Sequence, residues 1–112
     1  MTRAVERAII SGLRRLEAPH REVTVMLDGA LHAPRHFKQE TIIRGDDLVP
    51  IISLASIVAK VRRDRLMRRM ANEYPQYGFE QHKGYPTPAH YSALREFGLC
   101  EIHRRTYCKS ID

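Results

Sequence analysis

Glu22-Val-Thr-Val-Met-Leu-Asp28-Gly29, EVTVMLDG, alternates its side chains and then stops on an acid and a glycine. A period of two predicts a strand with Val23, Val25 and Leu27 on one face and Thr24, Met26 and Asp28 on the other. Asp28 therefore stands at the strand's carboxyl end. Two readings of Asp28-Gly29 stand: a turn, since Asp and Gly dominate turns, or a carboxylate set where α/β sheets open their crevice.

Upstream, Val5, Ala8, Ile9, Leu13 and Leu16 form a helical stripe across residues 3–17, which Pro19 ends. Downstream, residues 30–38 read as a loop and Glu40-Thr-Ile-Ile-Arg44 as a second strand, closed by Gly45-Asp46-Asp47. A long helix is predicted over residues 50–73, with Pro50 tolerated in its first turn and Pro75 ending it. Thr87-Pro88 reads as a helix cap, Tyr91, Leu94 and Phe97 as that helix's apolar face, and Gly98 as its stop. The order helix, strand, strand, helix, helix is α/β material. Two strands are too few for an independent sheet, so the chain reads as part of a larger α/β unit.

The 112 residues suit one domain or part of one, and no apolar run approaches the ~20 residues of a membrane span. The arginines and glutamate within MTRAVERAIISGLRRLEAPH disqualify it as a signal-peptide core, so the expectation is a cytoplasmic protein. Cys100 and Cys108 lack CxxC spacing and read as thiols, not as a disulfide or a zinc site. A net charge of +6 favours a polyanionic partner, because phosphates neutralised by Lys or Arg release their counterions.

Three groups of residues could carry chemistry. Ser53, Ser56, Lys60 and Asp64 share one side of the long helix, where Ile51, Ile52, Leu54, Ile57, Val58 and Val61 imply burial. That line is either a functional stripe or, at its end, a plain Lys60–Asp64 ion pair. Asp28 with a helix carboxylate would give hard oxygen ligands suited to Mg²⁺ or Mn²⁺. The third group is the stretch QYGFEQHKGYPT, residues 76–87. Its Tyr77, Phe79 and Tyr85 can stack on bases or sugars, Gly78 and Gly84 allow close backbone approach, and His82 and Lys83 can meet phosphate. Tyr77 and Phe79 read equally well as core plugs. His20, His32, His36 and His90 show no ligand spacing and read as surface or packing residues.

MLDGA at 26–30, ASIVAKVRRD at 55–64, YPQYGFEQHKGYPTPAH at 74–90 and IHRRTY at 102–107, in this order, resemble the carboxyl-terminal half of bacterial ribonuclease HII. The resemblance runs from about residue 22 and implies a partial RNase H-like α/β fold, with residues 1–112 as the carboxyl-terminal part of a type-2 ribonuclease H domain. It implies a metal-dependent endonuclease, using Mg²⁺ or Mn²⁺, acting on RNA–DNA hybrids and on ribonucleotides embedded in DNA. By motif position Asp28 and Asp64 correspond to the third and fourth acidic metal ligands. Tyr85 corresponds to the residue that stacks on the sugar at the ribonucleotide junction. Lys60, His82, Lys83 and the run His103, Arg104 and Arg105 correspond to positions near the substrate backbone or its supports.

The family's first two acids lie in a GxDExGRG segment, and no DE dipeptide occurs in this sequence. Tyr107 also stands where the family more often has Phe. The expectation is a chain inactive alone, either a shortened reading frame or one half of a split enzyme whose partner supplies the missing amino-terminal half. The alternative is a non-catalytic basic module that binds nucleic acid.

Overall fold

The computed structural model describes residues 1–17 and 19–109. The chain divides into two compact units, Met1–Val58 and Ala59–Asp112.

In the first unit, helix α1 spans Arg3–Leu16, and the Thr2 hydroxyl accepts the Val5 N–H at its start. Strands β1, Thr24–Asp28, and β2, Lys38–Ile42, pair in parallel with Thr24 opposite Lys38 and Asp28 opposite Ile42. The result is mixed helix and strand, a two-stranded parallel sheet with helices around it, as the α/β reading expects.

Only nine residues join β1 to β2, fewer than the dozen that parallel crossovers usually need. The Gln39 amide makes this possible by taking the place of backbone pairing within the loop. Its oxygen accepts the Ala33 N–H at 2.9 Å, and its nitrogen donates to the Ala33 carbonyl at 3.1 Å. Strand β2 lies two residues earlier than the sequence predicts. Ile43 and Arg44 then form a turn, with Arg44 left-handed at φ +55° and its guanidinium on Asp47 at 2.6 Å. Gly45–Leu48, read from sequence as the closing turn, winds into a single helical turn, α2.

Helix α3 covers Pro50–Glu73, with the predicted bounds. Residues 50–58 of it belong to the first unit. There Ile52 is buried with Leu27 and Ala33, but the rest of the apolar surface is not covered. Ile43, Leu48, Ile51, Leu54, Ile57 and Val58 are all at least half exposed. The burial expected for this segment is therefore absent among the described residues, because two strands offer too little sheet to cover it. The stripe on α1 shows the same thing, with no residue of that helix buried.

In the second unit the core is Met67, Tyr77, Phe79, Ala93 and Leu94, with Met70, Ala71, Tyr74 and Cys100 packed against it. The stretch that reads as an open loop is largely wound up. A 3-10 turn covers Pro75–Tyr77 and a short helix α4 covers Phe79–His82. Phe79 is 1% exposed and Tyr77 3%, so of the two readings for these rings the core plug is the one found. They stack at 5.3 Å between centroids, and the Tyr77 hydroxyl donates to the Gly98 carbonyl at 2.8 Å.

Gly78 and Gly84 sit at φ +71° and +84°, so the backbone turn itself calls for glycine at both. Helix α5, Pro88–Phe97, starts where predicted, with the Thr87 hydroxyl accepting the His90 N–H. Its buried face is His90, Ala93 and Leu94, whereas Tyr91 and Phe97 are 39% and 49% exposed. Leu94 keeps its predicted place in the core, His90 and Ala93 complete the face, and Phe97 meets Tyr77 edge-on at 6.3 Å from the rim. No helix among the described residues is long and apolar enough to cross a membrane.

Candidate nucleic-acid and metal site

Asp28 ends β1 half-buried, and its Oδ1 accepts the Gly45 N–H at 2.8 Å. The carboxylate is thereby tied to the first residue of α2. A side chain at position 45 would meet Ile52 Cδ1 at 2.7 Å and push that side chain aside, while the Asp28 atoms lie at ordinary contact distance. The next residue, Gly29, takes φ +64° and donates its N–H to the Ile42 carbonyl. Asp28-Gly29 is thus both a turn and a fixed carboxylate. Asp28 opens on a cavity shared with Asp46, Ser56 and Met26. Asp46 was legible in sequence only as part of a turn, and nothing in its spacing signals that it faces the same space.

In the second unit, Asp64 lies on α3 one turn after Lys60, whose Nζ donates to its Oδ2 at 2.9 Å. The Asp64 side chain is 18% exposed and the Lys60 side chain 67%. That bond holds the Asp64 carboxyl below the usual carboxylate range, against desolvation, and the charges of Lys60, Lys83 and Arg68 add to it. Lys60 is held above its ordinary value by the same bond. The plain ion pair foreseen for these residues is present. Its stabilisation is full at neutral pH and is lost as pH falls through the lowered Asp64 value.

Tyr85 lies within electrostatic reach of Lys60, as Lys83 does of Asp64, so these four residues share one neighbourhood. The Tyr85 side chain is 53% exposed although its backbone is fixed on both sides. Its N–H donates to the His82 carbonyl, and its carbonyl accepts the Thr87 N–H at 2.8 Å and the His90 Nδ1 at 3.0 Å. Lys83 takes a left-handed φ of +53°, and its ammonium donates to the Glu80 carbonyl.

His82 differs from its sequence reading as a phosphate contact. It is buried, its Nε2 lies 2.6 Å from the Tyr77 carbonyl, and its Nδ1 accepts the Gly84 N–H. With both ring nitrogens on backbone, none is left for a phosphate, and the ring supports the segment from beneath. Arg104 sits over the Tyr107 ring at 4.2 Å, so the mild exchange to Tyr at 107 keeps a flat face for this cation. Both cysteines are free and half-buried.

Asp28 and ionised Asp64 are hard oxygen donors of the kind Mg²⁺ and Mn²⁺ select. In number they are few. Among the described residues no group of three or more His, Cys, Asp or Glu gathers to hold an ion. The donor chemistry of each carboxylate, taken on its own unit, fits such an ion.

The chain matches the family model for ribonuclease HII over residues 1–110, so the likeness extends through α1. It is 44% identical over 109 residues to ribonuclease HII of Prochlorococcus marinus, covering 96% of this chain and 56% of that protein. Against ribonuclease HII of Nitrosomonas europaea the identity is 48% over 109 residues, covering 96% and 48%. Against that of a Sulfurovum species it is 58% over 67 residues, covering 60% and 36%. The chain thus spans about half the length of the curated relatives it matches. A family match across nearly every residue, together with identities of this size, establishes that this chain belongs to the ribonuclease HII family.

Proposed function

We propose that this chain supplies the substrate-reading loop and two of the acidic metal ligands of a ribonuclease H that cuts RNA–DNA hybrids and duplex DNA containing single ribonucleotides. The observation that carries the reading is the neighbourhood of Lys60, Asp64, Lys83 and Tyr85. It combines an ionised carboxylate, two ammonium groups and an exposed ring on a pinned backbone. A divalent ion, Mg²⁺ or Mn²⁺, would supply Lewis acidity toward the scissile phosphate. By motif position Asp28 and Asp64 would each serve as a ligand, Lys60 keeps Asp64 ionised, and Lys83 and Arg104 would meet backbone phosphates. Tyr85 would lay its ring on the sugar, where the 2′-hydroxyl distinguishes RNA from DNA.

Two carboxylates are too few for the two-ion geometry of phosphodiester hydrolysis. The remaining acids would come from a polypeptide outside these 112 residues, and the uncovered apolar residues of the first unit give such a partner something to bury. The competing reading, a basic module that binds nucleic acid without cutting it, uses Lys83 and Arg104 but has no need of an ionised Asp64.

The test uses this chain joined to the remainder of the Nitrosomonas europaea relative, with a duplex carrying one embedded ribonucleotide. Tyr85→Ala is expected to lower cleavage by ~1–3 kcal/mol, about 5- to 150-fold, the loss of one stacking partner, while duplex binding changes little. Lys83→Ala is expected to weaken binding to all duplexes alike and to reduce the salt dependence by about one charge. Cleavage by Tyr85→Ala at the parent's rate would show that the ring is packing and would remove the basis for this reading.

A further inference from the structure

His90, His103 and Cys100 form a connected group that the reaction just described does not use. The Cys100 N–H donates to His103 Nδ1 at 3.0 Å, and the Cys100 thiol lies at the same distance from that nitrogen. His103 Nε2 faces His90 Nε2 at 3.2 Å, and His90 Nδ1 meets the Tyr85 carbonyl at 3.0 Å. A backbone N–H can only donate and a carbonyl can only accept, so both ends of this line have fixed polarity. His103 Nδ1 must then be bare, and its proton must sit on Nε2. That proton points at His90 Nε2, which must accept, leaving the His90 proton on Nδ1, aimed at Tyr85.

We propose that His103 and His90 form a one-directional relay of two neutral imidazoles that positions Tyr85, and that protonating either ring breaks it. A proton added to His103 would set an N–H against the Cys100 N–H. Added to His90, it would set two N–H groups face to face. In either case one link of the line becomes a clash between two N–H groups, so the His90 ring that donates to the Tyr85 carbonyl is no longer held from behind, although its Nδ1–H remains a donor.

The surroundings favour the neutral pair. Burial pushes both imidazoles below the ordinary 6.5, and for His103 the neighbouring His90 adds to the effect. His82 stacks on His90 at 4.2 Å between centroids. Arg63 and Arg104 border the cavity that reaches both rings, and Arg105, Tyr74 and Glu101 border the one on the Cys100 side. Glu101 is the one carboxylate in that company, so the balance of charge disfavours a further proton. Because the folded values are lowered, the relay's contribution is complete above about pH 6.5 and is lost as pH falls through the lowered values.

The importance of the relay for substrate reading rests on the role proposed for Tyr85, but its existence can be measured without substrate. ¹⁵N-resolved NMR of the imidazoles in the full chain should find His103 protonated on Nε2 and His90 on Nδ1, each with a midpoint below 6.5. A His90 proton on Nε2, or a midpoint at or above 6.5 for either ring, would overturn the relay. Amide exchange then separates positioning from packing. His103→Asn can accept the Cys100 N–H but is too short to reach His90, whereas His103→Gln can reach it with an amide N–H. Exchange at Tyr85 and Thr87, corrected for intrinsic rates, should quicken about 2- to 12-fold in the Asn variant, one hydrogen bond's worth, and clearly less in the Gln variant. Equal acceleration in both, or in neither, would also overturn it. Should either variant fail to fold, the tautomers and midpoints of the unaltered chain decide the matter. Failure of these measurements leaves the reading of Tyr85 standing, and failure of Tyr85→Ala to affect cleavage leaves the relay standing.

Discussion

Asp64→Asn, placed in this chain joined to the remainder of the Nitrosomonas europaea relative, is expected to lower hybrid cleavage by at least about 10³-fold. The basis is that a metal ion supplies several kcal/mol of charge stabilisation at a transferring phosphate, and a carboxamide does not hold it. Asp28→Asn is expected to do the same. The double variant should lose little more than either single one, because residues that act as one unit are not additive. The alternative makes a very different forecast. If Asp64 is only the partner of Lys60, a solvent-screened i,i+4 pair contributes little, and Asn should leave cleavage within about twofold of the parent. Cleavage rates of the two single variants, each checked for retained helix content by circular dichroism, separate the cases by more than two orders of magnitude. A near-parent rate for Asp64→Asn would reject it as a ligand.

The second large effect is on stability. Phe79→Ala is expected to cost ~3–5 kcal/mol, the range for emptying an aromatic site in a core that cannot collapse around the void. Phe79 is the one large side chain that is fully buried among the described residues. It stacks on Tyr77 and meets His82 and His90 edge-on at 5.7 Å. Against a total stability of ~5–15 kcal/mol for an ordinary domain, that loss takes a large share. Urea denaturation followed by tyrosine fluorescence would read it. A change under 1 kcal/mol would mean that the second unit does not depend on this ring for its core.

The elements with strong local signals were legible in the sequence. The bounds of α3 follow from Pro50 and Pro75, and the start of α5 from Thr87-Pro88, because a cap and a missing N–H act within a few residues. The alternation of EVTVMLDG likewise gave β1 and the end position of Asp28. What sequence did not give was set by contacts distant along the chain. Strand β2 begins two residues early, where the Gln39 amide also ties the loop at Ala33, and the buried face of α5 is set by its packing in the core of Tyr77 and Phe79. His82 looked like a phosphate contact by composition. Its use as a support depends on the carbonyl of Tyr77 and the N–H of Gly84, a backbone geometry that no residue pattern announces. The same holds for His90 and His103, thirteen residues apart and meeting only through the fold. Burial of the apolar part of α3 was expected from its side chains alone, and its exposure in the first unit follows from how little sheet is there to cover it.

The most direct measurement is cleavage of one end-labelled RNA–DNA hybrid, in Mg²⁺ and in Mn²⁺, by the purified 112-residue chain and by the same chain joined to the remainder of the Nitrosomonas europaea relative. The account predicts no cleavage above buffer from the chain alone, strong cleavage from the joined protein, and its loss with Asp28→Asn. Robust cleavage by the chain alone that survives purification and disappears with Asp28→Asn would contradict it, as would a joined protein that folds, binds hybrid and does not cut.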